Sequence, residues 1–209
     1  MSGSPISSNV RVLPTNNQVK ALQTSLRNSS TRREDFIFCA DRLSRLAVEE
    51  GLNLLPSSPT VVTTPTGSEY EGVQFSSRIC GVSMMRSGEA MELALRDCCQ
   101  SIRIGKLLIK RKNPDEEPTV FYAKLPPDAH ERAVFLMHPL LDTGASLLKA
   151  VALLKERRVP ESSIIILNLF STDEGIRSIL DVHPDVRILT TEIGTACPSH
   201  FGQIYFGAR

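Results

Sequence analysis

The sequence has no surplus of charge of either sign. Its 24 lysine and arginine residues almost balance 23 aspartate and glutamate residues, which leaves a formal net charge of +1 at pH 7. Proteins that bind nucleic acid or acidic membranes by general electrostatic attraction carry a basic surplus. The composition therefore gives no electrostatic argument for either kind of partner.

The sequence also lacks paired cysteines, a secretion signal and an apolar run long enough to span a membrane. Its cysteines are odd in number and form neither a CxxC pair nor a metal-binding spacing; they are Cys39, Cys80, Cys98, Cys99 and Cys197. This pattern is typical of reduced thiols that pack in a core. We therefore expect a soluble protein of the cytoplasm, with the nucleus as a second location, and no metal ligands.

Composition and patterning divide the chain into two parts. Residues 1–33 are rich in serine and asparagine, and we predict that they form a mobile arm with one short helix. Residues 34–209 are predicted to form the folded domain, because a hydrophobic content of 41% can supply a core. No internal repeat is visible.

Within that domain, short apolar runs alternate with helical patterns. A helix is predicted over 35–51 and a β-hairpin over 60–75. Further strands are predicted over 79–85, 104–109, 134–141, 164–170 and 186–191. Helices are predicted over 89–99, over 147–157, and from a capping box at 171–174 to residue 182. Alternation of this kind indicates an α/β fold with a mostly parallel sheet flanked by helices, in which ligands bind beyond the carboxyl ends of the strands.

One such strand end carries the most informative loop of the sequence. Residues 142–146 (Asp-Thr-Gly-Ala-Ser) join the strand predicted over 134–141 to the helix predicted over 147–157. Backbone N–H groups at a helix start, together with the helix dipole, favour binding of a phosphate group. An ordinary strand-to-helix loop with a serine cap fits the same residues.

Three further clusters lie in loops of the predicted fold. Arg86 follows the strand over 79–85, residues 110–112 are all basic, and residues 199–203 are Ser-His-Phe-Gly-Gln. Cationic and N–H-rich loops at one sheet edge favour a polyanion such as a diphosphate sugar. Taken alone, the basic run also fits a solvated segment balanced by residues 115–117, and 199–203 also fits a polar surface turn. A nicotinamide-binding Rossmann enzyme is excluded, because no GxGxxG follows the first strand.

Several motifs in order along the chain resemble the eukaryotic uracil phosphoribosyltransferases, and in particular their metazoan homologues. The motifs are Thr63–Gly67, Ile79–Glu92, Arg103–Arg111, Phe121–Pro126 and Tyr205–Gly207, and the resemblance extends from about residue 19 to residue 209. It implies the type I phosphoribosyltransferase fold. It also implies the pyrimidine salvage reaction, in which uracil and phosphoribosyl diphosphate give UMP and diphosphate.

The resemblance carries ligand sites onto named residues. The expected phosphoribosyl diphosphate site consists of Arg86, Arg111, His138, Pro139, Leu140, Leu141, Asp142, Thr143, Gly144, Ala145 and Ser146. The expected uracil site consists of Ser199, His200, Phe201, Gly202 and Gln203.

The resemblance also implies effectors and assembly. Family members use Mg²⁺ with phosphoribosyl diphosphate, respond to GTP and form homo-oligomers. The expected GTP site consists of Arg33, Arg42, Ser76, Ser77, Arg78, Ile79, Arg103 and Arg132.

Two departures from the family pattern bear on activity. His138 stands where the family has a carboxylate, and an imidazole supplies no fixed negative charge to a cationic transition state. The uracil segment is several residues shorter, and His200 and Gln203 replace two aspartates. One hypothesis is therefore a phosphoribosyltransferase with weak or lost uracil activity. The alternative is an inactive regulatory protein that binds a nucleotide or a phosphosugar.

Overall fold

The computed structural model of the protein describes residues 8–111 and 116–207. Residues 1–7 of the expected arm and residues 112–115 of the charged segment lie outside the described part. The strands are β1 (Val10–Val12), β2 (Ser57–Thr63), β3 (Glu69–Phe75), β4 (Ile79–Met84), β5 (Arg103–Lys110), β6 (Thr119–Lys124), β7 (Ala133–Met137), β8 (Leu140–Leu141), β9 (Ile164–Leu167), β10 (Phe170–Thr172), β11 (Arg187–Thr190) and β12 (Glu192–Gly194).

Six α-helices are present in these residues, together with three short 3-10 helices. The α-helices are α1 (Asn17–Arg27), α2 (Arg33–Leu52), α3 (Glu92–Cys98), α4 (Ala145–Glu156), α5 (Asp173–Val182) and α6 (Phe201–Phe206). The 3-10 helices are Ser87–Met91, Ala129–Glu131 and Glu161–Ser163. The helix predicted over 89–99 is thus a 3-10 turn followed by α3.

The main sheet has seven strands in the order β1-β11-β9-β7-β4-β5-β6. Every neighbouring pair is parallel except β5 and β6, which are antiparallel. A small parallel sheet, β12-β10-β8, lies beside it, and β2 and β3 form the predicted hairpin. The prediction of a mostly parallel sheet flanked by helices is confirmed.

Alternate residues of the central strands enter two cores. On β7, Phe135 and Met137 pack in the core that includes buried residues of α1, α2, α3 and α6. Val134 and Leu136 pack in the second core, with residues of α4 and α5. Because β7 is buried on both faces, its sequence is a continuous apolar run instead of an alternating one.

The structure corrects the expectation of a mobile arm for residues 10–27. β1 pairs with β11, and the short helix α1 packs into the first core. Val19, Leu22 and Leu26 are buried on one face of α1, at the spacing of an amphipathic helix. This part of the chain therefore belongs to the same folded unit as the rest.

Two predicted strands are each divided in the structure. The run over 134–141 breaks after Met137, where Pro139 has no N–H group to donate to a ladder. The Pro139 carbonyl instead accepts hydrogen bonds from the N–H groups of Leu169 and Phe170, in the gap between β9 and β10. The helix that follows β10 is capped by Thr172, one residue later than the predicted capping box places the cap.

β6 and α6 are among the elements that were not expected from the sequence. β6 is an antiparallel edge strand with several exposed side chains, so it lacks the buried apolar run of its neighbours. α6 is one turn and a half long and begins inside the segment interpreted as a turn.

No helix within residues 8–111 and 116–207 is long and apolar enough to cross a membrane.

All five cysteines are free thiols in the structure. Cys80 lies in the second core, and burial raises its pKa to about 11. A buried thiol with a raised pKa is inert, which agrees with the interpretation of Cys80 as a packing residue.

Candidate functional site

A cavity of about 190 Å³ lies between the end of β7 and the start of α4. It is lined by His138 and by residues 140–147, so the structure brings most of the expected phosphoribosyl diphosphate residues to one place. Residues 138–146 are called the 138–146 loop below, and the 190 Å³ cavity that they line is called the loop cavity.

The start of α4 supplies the donors of the loop cavity. Gly144 precedes the helix with a φ of +78°, a left-handed conformation that glycine adopts without strain. The first N–H groups of a helix have no partner within it. Ala145, Ser146 and Leu147 occupy these positions in α4 and line the cavity. These groups and the positive end of the helix dipole favour an anion here.

Side chains from outside the loop hold its carbonyl groups. Three of them donate a hydrogen bond each: Asn168 Nδ2 to the carbonyl of His138 at 2.6 Å, Thr172 Oγ1 to that of Asp142 at 2.6 Å, and Ser178 Oγ to that of Thr143 at 2.9 Å. A side chain at position 144 has no space on the side facing α5, because a Cβ there would collide with Oγ of Ser178. The loop conformation is therefore fixed from its outer side.

His138 presents a neutral nitrogen to the loop cavity. Its Nδ1 lies 2.5 Å from the carbonyl oxygen of Leu140, and since a carbonyl only accepts, Nδ1 carries the proton. Burial lowers the pKa of His138 below its ordinary value of 6.5, so the ring is neutral at pH 7. Within the described residues Nε2 has no hydrogen-bond partner. His138 can therefore accept a hydrogen bond from a ligand hydroxyl but offers no negative charge.

A second cavity, of about 290 Å³, adjoins the first through Leu140, which lines both. We call it the α6 cavity. Its other lining residues are Arg86 and Ser87 on one side and Ser199, Gly202, Gln203 and Phe206 on the other. The structure thus brings Arg86 and part of the expected uracil segment together next to the 138–146 loop.

The rest of the uracil segment supports α6 from behind. Phe201 is fully buried, with its ring 5.3 Å from that of Phe36 in an edge-on contact. Tyr205 donates its hydroxyl proton to Asp41 at 2.7 Å. His200 Nε2 lies 3.3 Å from the carbonyl oxygen of Leu26. His200 and Phe201 therefore hold the helix in place and do not line the α6 cavity.

A network of charged side chains supports the turn that carries Arg86. Lys106 Nζ lies 2.5 Å from Glu89 and 3.4 Å from Glu92, and the hydrogen bond to Glu89 raises the pKa of Lys106. The buried hydroxyl of Ser83 donates to Glu92 at 2.5 Å. These contacts tie the 3-10 helix after Arg86 to β4 and β5.

Arg111 lies apart from both cavities. It is exposed and directly follows β5, and neither the loop cavity nor the α6 cavity includes it in its lining. The structure therefore does not bring Arg111 to the other expected phosphoribosyl diphosphate residues.

The residues expected to bind GTP separate into two groups. Arg78, Arg103 and Arg132 surround Asp128 at 3.8, 3.0 and 2.6 Å, and Arg132 holds the pKa of Asp128 well below its usual range. Arg132 also donates to the carbonyl of Ile79, and Ser76 and Ser77 precede Arg78 in the chain.

Arg33 and Arg42 lie on α2 and contact other elements. Arg33 donates to the carbonyl oxygens of Ile204 and Tyr205 at 3.1 and 3.0 Å, which places it at the end of α6. Arg42 donates to Gln18 at 3.4 Å. Their contacts are thus separate from those around Asp128.

Sequence comparison decides the family of the chain. The family model for uracil phosphoribosyltransferase matches residues 12–201. The chain belongs to the uracil phosphoribosyltransferase family.

Members of this family are similar over most of the chain. The uracil phosphoribosyltransferase homolog of Danio rerio is 56% identical over 198 residues, which cover 95% of this chain and 77% of that relative. The uracil phosphoribosyltransferase of Dictyostelium discoideum is 47% identical over 210 residues, covering 96% and 97% of the two chains. The resemblance inferred from motifs is thereby confirmed.

A solved structure shares the fold. The AQ2163 protein from Aquifex aeolicus superposes with a TM-score of 0.81 over 95% of this chain and 98% of that one, at 18% sequence identity. At this identity the likeness concerns the fold alone. Together with family membership it agrees with the type I phosphoribosyltransferase fold that the motifs imply.

Sequence patterns did not reveal the side chains that hold the 138–146 loop. Asn168 directly follows the buried strand β9, and Ser178 lies 35 residues beyond Thr143, so neither has a local signal for its contact with the loop. Thr172 had a partial signal, because it lies within the predicted capping box.

Proposed function

We propose that this chain binds phosphoribosyl diphosphate or ribose 5-phosphate at the 138–146 loop and converts uracil to UMP very slowly or not at all. The observation that carries the proposal is the contrast between the N–H groups at the start of α4, which suit a phosphate, and His138, which is neutral. In this proposal the N–H groups supply the phosphate half of the site, and His138 does not supply the negative charge that would favour the reaction.

The roles of the residues follow from their positions. The N–H groups of residues 145–147 would hold the 5-phosphate, and Arg86 would contact the diphosphate from the neighbouring cavity. His138 Nε2 would accept a ribose hydroxyl. Displacement at the anomeric carbon develops positive charge on the sugar, and a neutral imidazole stabilises that charge less than a carboxylate does.

Mg²⁺ would enter with the diphosphate, whose charge it neutralises. This ion prefers oxygen ligands and usually combines one or two carboxylates with phosphate oxygens. The 138–146 loop offers the exposed carboxylate of Asp142, and the described residues contain no group of three or more metal-binding side chains. These residues suit a metal carried by the substrate, with Asp142 as its protein contact.

A radiolabel assay tests the catalytic part of the proposal. Purified protein is incubated with labelled uracil, phosphoribosyl diphosphate, Mg²⁺ and GTP beside an active uracil phosphoribosyltransferase. We expect no detectable UMP, or far less than in the active enzyme. His138→Asp alone should raise the rate less than about tenfold, because groups that act as a unit do not rescue one another singly. Robust UMP formation by the unchanged chain would contradict the proposal.

A regulatory protein that binds a phosphosugar or a nucleotide remains the second candidate. The same geometry favours it, because binding through N–H groups needs no catalytic charge. Calorimetry with phosphoribosyl diphosphate, followed by uracil, separates the candidates: binding of the first ligand without heat from the second favours the regulatory role.

We also propose that the chain self-associates through the hairpin β2–β3. Val61, Tyr70 and Val73 are 58%, 61% and 66% exposed on this hairpin, and isolated two-stranded hairpins are marginally stable in water. Exposed apolar strands and strand edges favour pairing with another copy. Sedimentation at micromolar concentration should show a dimer or a larger oligomer, and a clean monomer would count against this.

GTP is proposed as an effector at the arginines around Asp128. Arg78 and Arg103 are more than half exposed, so they can reach a triphosphate while Arg132 holds Asp128. Calorimetry with GTP should show binding that Arg103→Met weakens, and equal binding in both proteins would reject this site.

The location in cytoplasm and nucleus also stays a prediction, which imaging of a tagged chain tests.

A further inference from the structure

Arg86 is a cation without a partner at the edge of the α6 cavity. It is exposed and lines that cavity, and the other described residues of the lining carry no charge. Within residues 8–111 and 116–207 its guanidinium has no hydrogen-bond or ion-pair partner. An arginine in this state keeps all five of its N–H donors for a ligand. The cause of this state therefore bears on what the site can bind.

The local sequence supplies a carboxylate that could neutralise Arg86. A 3-10 helix runs over Ser87–Met91, and Arg86 is its N-cap residue, with helical backbone angles. The N–H group of Glu89 donates to the carbonyl oxygen of Arg86 at 3.0 Å. Side chains three residues apart in a 3-10 helix are eclipsed, so those of Arg86 and Glu89 extend from the same face. Local geometry alone would favour an ion pair between them.

In the structure Glu89 pairs with Lys106 instead. Nζ of Lys106, on β5, lies 2.5 Å from Oε1 of Glu89, and this hydrogen bond raises the pKa of Lys106 above its ordinary value. Lys106 is therefore charged at neutral pH. The N–H group of Met85 also donates to the carbonyl oxygen of Leu107 at 2.7 Å. β5 thus holds the chain on both sides of Arg86.

A second carboxylate contacts the same lysine. Oε1 of Glu92 lies 3.4 Å from Nζ of Lys106 and accepts a hydrogen bond from the buried hydroxyl of Ser83 at 2.5 Å. Glu92 is six residues beyond Arg86, which is about two turns of a 3-10 helix. Glu89 and Glu92 therefore have the same charge and the same cationic neighbour, but Glu89 alone has the close spacing to Arg86.

Resting on the proposed contact of Arg86 with a diphosphate, we propose that Lys106 is a positioning residue that holds Glu89 away from Arg86 and so keeps the guanidinium free for the diphosphate. Lys106 lines neither the loop cavity nor the α6 cavity, so it acts through Glu89 and not by touching the ligand. Without Lys106, Glu89 would pair with Arg86, and a diphosphate would have to break that pair before it could bind.

Calorimetry on the full chain measures this effect with two ligands, phosphoribosyl diphosphate with Mg²⁺ and ribose 5-phosphate. The ratio of the two affinities gives the contribution of the diphosphate. Arg86→Met should lower the ratio at least about tenfold, because charged donors are lost. Lys106→Met should lower it about threefold to fivefold, the cost of breaking an exposed ion pair. The affinity for ribose 5-phosphate should stay the same in both variants.

Two double variants of equal net charge test whether Lys106 acts through Glu89. Lys106→Met with Glu89→Gln removes the competing carboxylate and should restore the ratio of the unchanged chain. Lys106→Met with Glu92→Gln is the matched control, in which Glu89 is still able to pair with Arg86, so the ratio should stay low. A purely structural role of Lys106 predicts no recovery in either variant, and a long-range effect of its charge predicts equal recovery in both. Thermal melting curves confirm that each variant is folded.

The outcomes separate this inference from the function on which it rests. An unchanged ratio in Lys106→Met, or equal ratios in the two double variants, would overturn the inference. If Arg86→Met lowers the ratio while Lys106→Met does not, the role of Lys106 is rejected and the diphosphate contact of Arg86 stands. If Arg86→Met leaves the ratio unchanged, or if neither ligand binds, the proposed contact and the role of Lys106 are both rejected.

Discussion

The 138–146 loop and α6 border adjoining cavities, yet different contacts hold them in place. The loop is fixed through its backbone, by three side-chain donors to its carbonyl groups and by the left-handed Gly144. α6 is fixed through its side chains, by Phe201 against Phe36 and by Tyr205 on Asp41. Its last backbone carbonyl groups accept hydrogen bonds from Arg33.

This difference predicts that the loop side of the proposed site tolerates substitution better than the α6 side. A phosphate at the start of α4 is bound by N–H groups, which every residue except proline provides. His138 can therefore replace an acidic residue without removing the phosphate donors. A ligand in the α6 cavity would be recognised by side chains, so replacing Ser199 or Gln203 would change what the cavity can bind.

The strongest test of the backbone-held half is Gly144→Val. The φ of +78° strains a β-branched residue by about 1–3 kcal/mol, and its Cβ would collide with Ser178 Oγ. We expect the affinity for ribose 5-phosphate to fall at least about a hundredfold in calorimetry. Gly67→Val is the matched control, because Gly67 has a φ of +83° but no atom near its Cβ position. Unchanged binding in a folded Gly144→Val chain would remove the assignment.

A milder change to the same half is Ser178→Ala. It removes the hydrogen bond to the Thr143 carbonyl, and one such bond contributes about 0.5–1.5 kcal/mol. We expect ribose 5-phosphate to bind about threefold to tenfold more weakly. Ser25→Ala, which removes a hydroxyl bonded within its own helix, should leave binding unchanged. Equal affinity in both variants would show that the loop keeps its shape without Ser178.

The side-chain-held half is tested by Tyr205→Phe. The change removes the hydrogen bond to Asp41 and keeps the ring that stacks on Phe201. We expect the free energy of unfolding in urea to fall by about 1 kcal/mol. Ribose 5-phosphate should bind as before, because the loop does not depend on α6. A parallel loss of binding would show that the two halves are coupled.

The smallest expected effect concerns the protonation of His138. Its pKa in the folded chain lies below 6.5, so the unfolded chain takes up a proton first as the pH falls. Its contribution to the free energy of unfolding is full above about pH 6.5 and is lost as the pH falls through the folded pKa. His138→Asn should therefore lose less stability than the unchanged chain between about pH 7.5 and pH 5.5. The exposed His130→Asn is the control, and equal losses in all three proteins would contradict a lowered pKa.

Much of the central sheet was predictable from the sequence, because buried parallel strands are short apolar runs that are visible without a structure. The loop at 142–146 was predictable for a similar reason, since glycine and small residues at a helix start form a local pattern. β6 and α6 were not predictable from apolar runs. Most side chains of β6 are exposed, so its sequence shows neither a continuous apolar run nor a regular alternation of apolar and polar residues. α6 has only six residues, which is too short for a helical repeat to show.

The sequence by itself determined the family, through ordered motifs, and the helix start that follows the 142–146 residues, because a helix start follows from local residue types. Only the tertiary structure decided that residues 10–27 belong to the fold. The apolar side chains of Val19, Leu22 and Leu26 become buried only because they pack against the first core. The tertiary structure also decided which tautomer of His138 is present and which side of α6 borders a cavity. The place of residues 10–27 and the packing of α6 depend on contacts between residues far apart in the chain, which no local pattern records. The tautomer depends on the loop conformation that brings Nδ1 of His138 to the carbonyl oxygen of Leu140.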